Sequence, residues 1–197
     1  MKTLLRLQRN SGFTPPVAGF TLIETLVAIS LLMISIVAPM SLAAESLSAA
    51  YYARQQITAF YLAQEGIEVV RSVRDANILK IAEGQSGVNI FDGIPSTTGL
   101  PFTVDSLVDP SSALVLCPSG GSAPDYNCPV LQTDGTVYGY HTGWTNTTFT
   151  RIVTATLING NPDELRITVT VTWQQGTLQQ RSFAIHEDLY RWVNAQS

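Results

Sequence analysis

A single carboxylate, Glu24, stands at the mouth of an apolar run, since residues 25–44 carry no charge and Gly19-Phe20-Thr21-Leu22-Ile23 lead into it. An ionised side chain deep in a bilayer costs about 2.5–3.5 kcal/mol on insertion scales, and less near the end of a span, so a carboxylate placed there calls for a positive partner. Other reactive side chains are sparse. Cys117 and Cys128 are the only thiols, and Pro118-Ser119-Gly120-Gly121-Ser122-Ala123-Pro124-Asp125-Tyr126-Asn127 separates them. In an oxidising compartment they are a candidate disulfide, whose closure stabilises by about 3 kcal/mol in chain-entropy terms. A zinc site is disfavoured, because these cysteines have no companion pair and His141 and His186 are remote in sequence. Asp92, Asp105, Asp109, Asp125 and Asp134 lack the spacing of a calcium-binding loop and read as solvated loop residues, so no metal is expected.

Catalytic patterns are missing. No HExxH, P-loop or dinucleotide fingerprint occurs, and Gly84-Gln85-Ser86-Gly87-Val88 lacks the last glycine of a nucleophile elbow. No catalytic residue and no cofactor is expected, and the chain does not read as an enzyme. All 15 acidic residues lie after residue 19 against 8 basic ones, giving residues 20–197 a charge of −7. Bulk attraction to phosphates is therefore absent and nucleic-acid binding is not indicated. Arg71, Arg74 and Lys80 share their segment with Glu65, Glu68 and Asp75, the pattern of a solvated, self-paired helix face. The sequon Asn146-Thr147-Thr148 matters only in a host that glycosylates exported asparagines.

The element that positions Glu24 is a helix. Twenty residues at about 1.5 Å each span about 30 Å, the thickness of a hydrocarbon core, so residues 25–44 can cross a membrane once. Lys2, Arg6 and Arg9 precede the run without an acid among residues 1–19, which keeps the N-terminus cytoplasmic and places the rest outside. Two ordinary readings are a signal peptide cut after Ala43 and an uncut signal anchor; neither accounts for Glu24 or for the Gly-Phe junction before it.

The string Gly19-Phe20-Thr21-Leu22-Ile23-Glu24-Thr25-Leu26-Val27-Ala28-Ile29 resembles the processing signal of type IV prepilins and pseudopilins. The resemblance implies cleavage by prepilin peptidase between Gly19 and Phe20, N-methylation of Phe20, and retention of the apolar segment. It also implies that Glu24 pairs with the new amine of a neighbouring subunit during assembly. Residues 1–19 are then a leader, longer than the shortest of the family and bearing Pro15-Pro16. Residues 20–44 are the membrane and assembly half of a long helix. Pro39 within it either kinks the membrane helix or accompanies unwinding in a filament.

Residues 45–197 read as one extramembrane domain. A helix over 45–80 continues the membrane segment, with Ile57, Phe60, Tyr61, Gln64, Ile67, Val70 and Val73 as its apolar stripe. The string from Ala59 to Arg71 is similar to minor pilins, with Gly66 either a close-packing point or a tolerated glycine. Residues 82–135 read as a variable loop region with little regular structure. A sheet over about 136–190 follows: Phe149, Arg151, Val153, Ala155 and Leu157 alternate with polar residues, Asn159-Gly160-Asn161-Pro162-Asp163-Glu164 turns, and Leu165, Ile167, Val169, Val171 and Trp173 alternate again. A third strand is expected over 177–185 after the turn Gln174-Gln175-Gly176, and Leu189-Tyr190-Arg191-Trp192 resembles the tail of minor pilin domains.

The expected fold is α+β, a long N-terminal helix whose second half packs on a C-terminal antiparallel sheet. The expected role is that of a structural subunit, a minor pilin or pseudopilin, of a pilus-like filament or a type II secretion-like system. The other reading is a membrane-anchored extracellular binding module or adhesin. Implied partners are other pilin subunits, prepilin peptidase, the inner-membrane assembly machinery and, before assembly, membrane lipid. The implied location is a single-pass membrane protein with an extracytoplasmic domain that ends in an extracellular or periplasmic filament.

Overall fold

The computed structural model describes residues 19–95, 99–118, 127–175 and 179–192. The leader with Lys2, Arg6, Arg9 and Pro15-Pro16, Asp125 with most of the stretch between the cysteines, and Gly176-Thr177 lie outside the described residues. The chain divides into two compact units, Met1–Ala49 and Ala50–Ser197, and a helix α1 (Leu22–Ala82) begins in the first and ends in the second.

In the first unit every described residue is exposed, and an apolar window with mean hydropathy 2.3 has none of its surface buried. A helix that is apolar on all sides needs an apolar surrounding. Its hydroxyls suit that surrounding, because Thr25, Ser30, Ser35 and Ser41 donate to the carbonyls of Leu22, Val27, Leu31 and Ala38 at 2.8, 2.8, 2.7 and 2.9 Å. No hydroxyl of residues 25–44 is left to seek a partner elsewhere. The helix continues through Pro39, whose missing N–H leaves the Ser35 carbonyl without its usual donor.

In the second unit α1 packs on the main sheet. Buried positions are Ala59, Leu62, Ala63, Gly66, Ile67, Val69, Val70, Val73, Asn77 and Ile81, a stripe at helical spacing. The expected stripe holds only from Ile67 onward: Ile57, Phe60, Tyr61 and Gln64 are exposed, and the smaller Ala59, Ala63 and Gly66 face inward instead. Small residues win because they let helix and sheet approach closely. A Cβ on Gly66 would lie 3.0 Å from Val169 Cγ1, so Gly66 is a close-packing point.

The main sheet has the order β2-β1-β6-β7-β8, all neighbours antiparallel, from β1 (Phe102–Val104), β2 (Leu114–Leu116), β6 (Phe149–Leu157), β7 (Glu164–Gln175) and β8 (Gln179–Tyr190). A smaller sheet, β4-β3-β5, is built from β3 (Gln132–Thr133), β4 (Tyr138–Gly139) and β5 (Thr145–Asn146). The β6–β7 register pairs Phe149 with Trp173, Val153 with Val169 and Leu157 with Leu165, which puts the expected apolar set on the helix side. Asn159 (φ 50°) and Gly160 (φ 73°) make the turn between them, in a region asparagine and glycine tolerate.

Two expectations need correction. The third strand, described from Gln179, continues past Ile185 to Tyr190, because Glu187 and Asp188 are held by Arg71 and Arg166 and do not end it. The stretch 82–135 contains β1 and β2, which extend the main sheet, and β3 of the small sheet. On the helix face Arg71 pairs with Glu68 and with Glu187 of the sheet, while Asp75 pairs with Arg74, so the face is not wholly self-paired.

Arg151 lies among the inward residues of β6 and is fully buried. Its Nη1 donates to the Leu62 carbonyl at 3.0 Å and its Nη2 to the Val104 carbonyl at 2.7 Å, with Glu65 at 3.4 Å. One guanidinium thus ties α1 to β1 and β6. Cys117, just after β2, is bonded to Cys128 with Cα atoms 4.8 Å apart, and both are buried.

Candidate processing and assembly site

Gly19 and Phe20 precede the helix in non-helical conformation, and Phe20 is 77 % exposed. Among the described residues a Cβ added to Gly19 would meet nothing within 4 Å, so they make no demand for glycine at that position. The Gly19–Phe20 peptide bond is open to approach, one residue ahead of the helix cap.

That cap is Thr21. Its Oγ1 accepts the Glu24 N–H at 3.3 Å and its carbonyl accepts the Thr25 N–H at 3.2 Å. Thr21-Leu22-Ile23-Glu24 has the spacing of a capping box, which satisfies donors that the first turn leaves free. The sequence reading overlooked Thr21, although the Thr-x-x-Glu pattern was there to be seen. The cap also offers a bland account of Glu24: an acid in the first turn gains about 0.3–1 kcal/mol from the helix dipole. That gain is set against a cost of roughly 2.5–3.5 kcal/mol for a charge at mid-bilayer, which falls toward the end of the span where Glu24 sits.

The remaining candidates are placed elsewhere. The disulfide belongs to the second unit, whereas Gly19, Phe20 and Glu24 belong to the first. His141, after β4, packs against Trp144 with ring centroids 4.6 Å apart and tilted by 53°, and lies 3.3 Å from Asp105, while His186 sits in β8 opposite Thr168. The aspartates close turns. Asp134 accepts the Thr136 and Val137 N–H groups at 2.8 and 3.0 Å, and these bonds hold its carboxyl below the usual range. Asp105 accepts the Leu107 and Tyr140 N–H groups, and Asp92 that of Asn89. Among the described residues no group of three or more His, Cys, Asp or Glu is arranged to hold a metal.

A family model described as the prokaryotic N-terminal methylation motif matches residues 16–38, the stretch that contains Gly19, Phe20, Thr21 and Glu24. No curated protein and no solved structure matches the chain.

Proposed function

We propose, from the premise that this chain carries the N-terminal methylation motif of type IV pilin-like prepilins, that it is a minor pilin or pseudopilin of a pilus-like or type II secretion-like filament. Prepilin peptidase cuts between Gly19 and Phe20, and the freed Phe20 amine is methylated. The helix then holds the subunit in the membrane until the assembly machinery moves it into a bundle of apolar helices. The observation that carries the reading is the motif at 16–38 on a helix that is apolar and exposed on every side from residue 25 to 44. In that motif's family the role is structural, not enzymatic.

Cleavage changes the electrostatics of Glu24. It creates an ammonium at Phe20, one helical turn away, toward which the Glu24 side chain leans because helical side chains tilt to the N-terminus. Pairing within the subunit lowers the cost of both charges in the membrane, and exchange for a neighbour's amine sets the axial stagger of the filament.

Mass spectrometry of the mature N-terminus tests the first step: methylated Phe20 is expected, and Ala44 at the terminus would mean signal-peptidase cleavage and overturn the reading. Glu24→Ala is expected to be cut normally yet to enter filaments poorly. Undiminished incorporation would contradict the charge-pairing role of Glu24.

A further inference from the structure

The small sheet carries a cleft of about 540 Å³, lined by Thr133, Asp134, Gly135, Gly143, Trp144 and Thr145. Gly135 belongs to the connection from β3 to β4 and Gly143 to that from β4 to β5. Both have positive φ, 103° and 91°, and among the described residues a Cβ on either would meet nothing within 4 Å, so open space lies over both turns. Trp144 is half-buried. Its backbone N–H donates to the His141 carbonyl at 3.2 Å, and its ring packs against the His141 ring, whose Nε2 lies 3.3 Å from Asp105. The indole is thus fixed in place yet partly open to solvent.

The polar groups around the indole divide into those the turn uses and those it leaves. Thr133 Oγ1 donates to the Val137 carbonyl at 2.7 Å and accepts the Gly135 N–H at 3.0 Å. Asp134 accepts the Thr136 N–H, the Thr136 hydroxyl and the Val137 N–H at 2.8, 2.8 and 3.0 Å, all on Oδ1. The carboxyl is ionised at neutral pH, because these bonds hold it below its usual range. Its Oδ2 has no hydrogen-bond partner among the described residues, and neither has the exposed Thr145 hydroxyl nor the Trp144 indole N–H. The turn accounts for one oxygen of Asp134. It does not account for a charged acceptor, a hydroxyl and an N–H donor left beside one aromatic ring.

A sugar ring fits that set, since its C–H face packs on an aromatic surface while its rim of hydroxyls both donates and accepts. A carboxylate oxygen is the strongest acceptor such a hydroxyl can find. A cation is also drawn to an indole and a carboxylate, but cation cages use several aromatic rings, and here Trp144 is the one aromatic side chain of the lining. The larger cleft beside β6 and β7, about 600 Å³, lacks a platform, because its tryptophan, Trp173, is buried. We propose that the cleft at Asp134 and Trp144 binds a neutral pyranoside, the sugar ring resting on Trp144 and its hydroxyls bonded to Asp134 Oδ2 and to the Thr145 hydroxyl. The site lies wholly in the second unit and is independent of the reading of Gly19, Phe20 and Glu24. A methyl hexopyranoside in so shallow a site binds at about 1 mM. Such a hold becomes strong when many copies act together.

The test uses the full chain in a polyoxyethylene detergent, which carries neither sugar nor cation, with fluorotryptophan at Trp144, Trp173 and Trp192. Methyl glycosides of glucose, galactose, mannose and N-acetylglucosamine are titrated to about 50 mM while the fluorine resonances are followed. With at least one of them the Trp144 resonance is expected to shift, half-saturating near 1 mM, while buried Trp173 and exposed Trp192 stay in place. Asp134→Asn keeps an oxygen for the Thr136 and Val137 N–H groups but removes the second acceptor, so it should weaken binding about tenfold. Thr145→Val, which leaves that turn alone, should weaken it about fivefold, and an unmoved Trp173 resonance shows that each variant is folded. Silence from every glycoside, an equal shift at Trp192, or binding unchanged by both substitutions overturns the proposal. So does a Trp144 shift with tetramethylammonium and none with sugar, because the cleft would then be a cation site.

Discussion

Replacing Gly66 by alanine measures how closely α1 and β7 approach. A Cβ at this position lies 3.0 and 3.3 Å from the two Cγ atoms of Val169 and 3.4 Å from Arg151 Cδ. Neither neighbour can yield easily. Val169 is fully buried in β7, flanked by β6 and β8, and its branched side chain has few rotamers. Arg151 is fully buried and held by the Leu62 and Val104 carbonyls. Overpacking of this kind costs about 1–3 kcal/mol, and alanine recovers about 1 kcal/mol of helix propensity. The expected net effect is a loss of about 1 kcal/mol. In a Val169→Ala background both close contacts vanish, and the same substitution should stabilise by about 1 kcal/mol. Urea unfolding of the detergent-solubilised full chain, followed by fluorescence of buried Trp173, gives both numbers. A stabilising Gly66→Ala in the native background, or a cost that persists when Val169 is alanine, would refute the close-packing argument.

Two further perturbations address the cap and the core. Thr21→Ala should cost about 1 kcal/mol and speed amide exchange at Glu24, whose N–H loses its acceptor, while Thr21→Ser should preserve protection. Tyr140 responds to alkali: burial pushes its hydroxyl up to about 12, partly offset by the nearby Arg151 guanidinium. The unfolded chain releases that proton near pH 10, so the stabilisation is complete below pH 10 and is lost at about 1.4 kcal/mol per pH unit up to about pH 12. Tyrosinate absorbance together with unfolding at alkaline pH tests this, and Tyr140→Phe should remove the extra slope.

The β6–β7 hairpin was legible in the sequence because strict alternation around Asn159-Gly160 leaves one register that buries Val153, Val169 and Trp173 together. The long helix was equally plain, since neither charge nor glycine interrupts residues 25–44. What failed was reading by size. The large side chains Ile57, Phe60 and Tyr61 stay exposed, while Ala59, Ala63 and Gly66 join Leu62 and Ile67 on the buried face, because closeness of approach favours small residues there. The end of β8 was hidden for a related reason: Glu187 and Asp188 look like loop residues until Arg71 and Arg166 are placed beside them. Strands β1 and β2 are only three residues each and depend on pairing distant in sequence, which no local pattern records. At the candidate site, Glu24 stood out by its cost, whereas Thr21 escaped notice because threonine is unremarkable in composition and matters only by its distance from Glu24.

The hydroxyls of Thr25, Ser30, Ser35 and Ser41 all turn back on their own backbone. To a neighbouring helix this span is therefore almost mute, offering shape and little else by which one axial or rotational position could be told from another. Such a surface can be drawn past its neighbours like a smooth rod, without a succession of polar catches to release. Whatever positional message the span delivers is written at one end, where its acid, Glu24, sits.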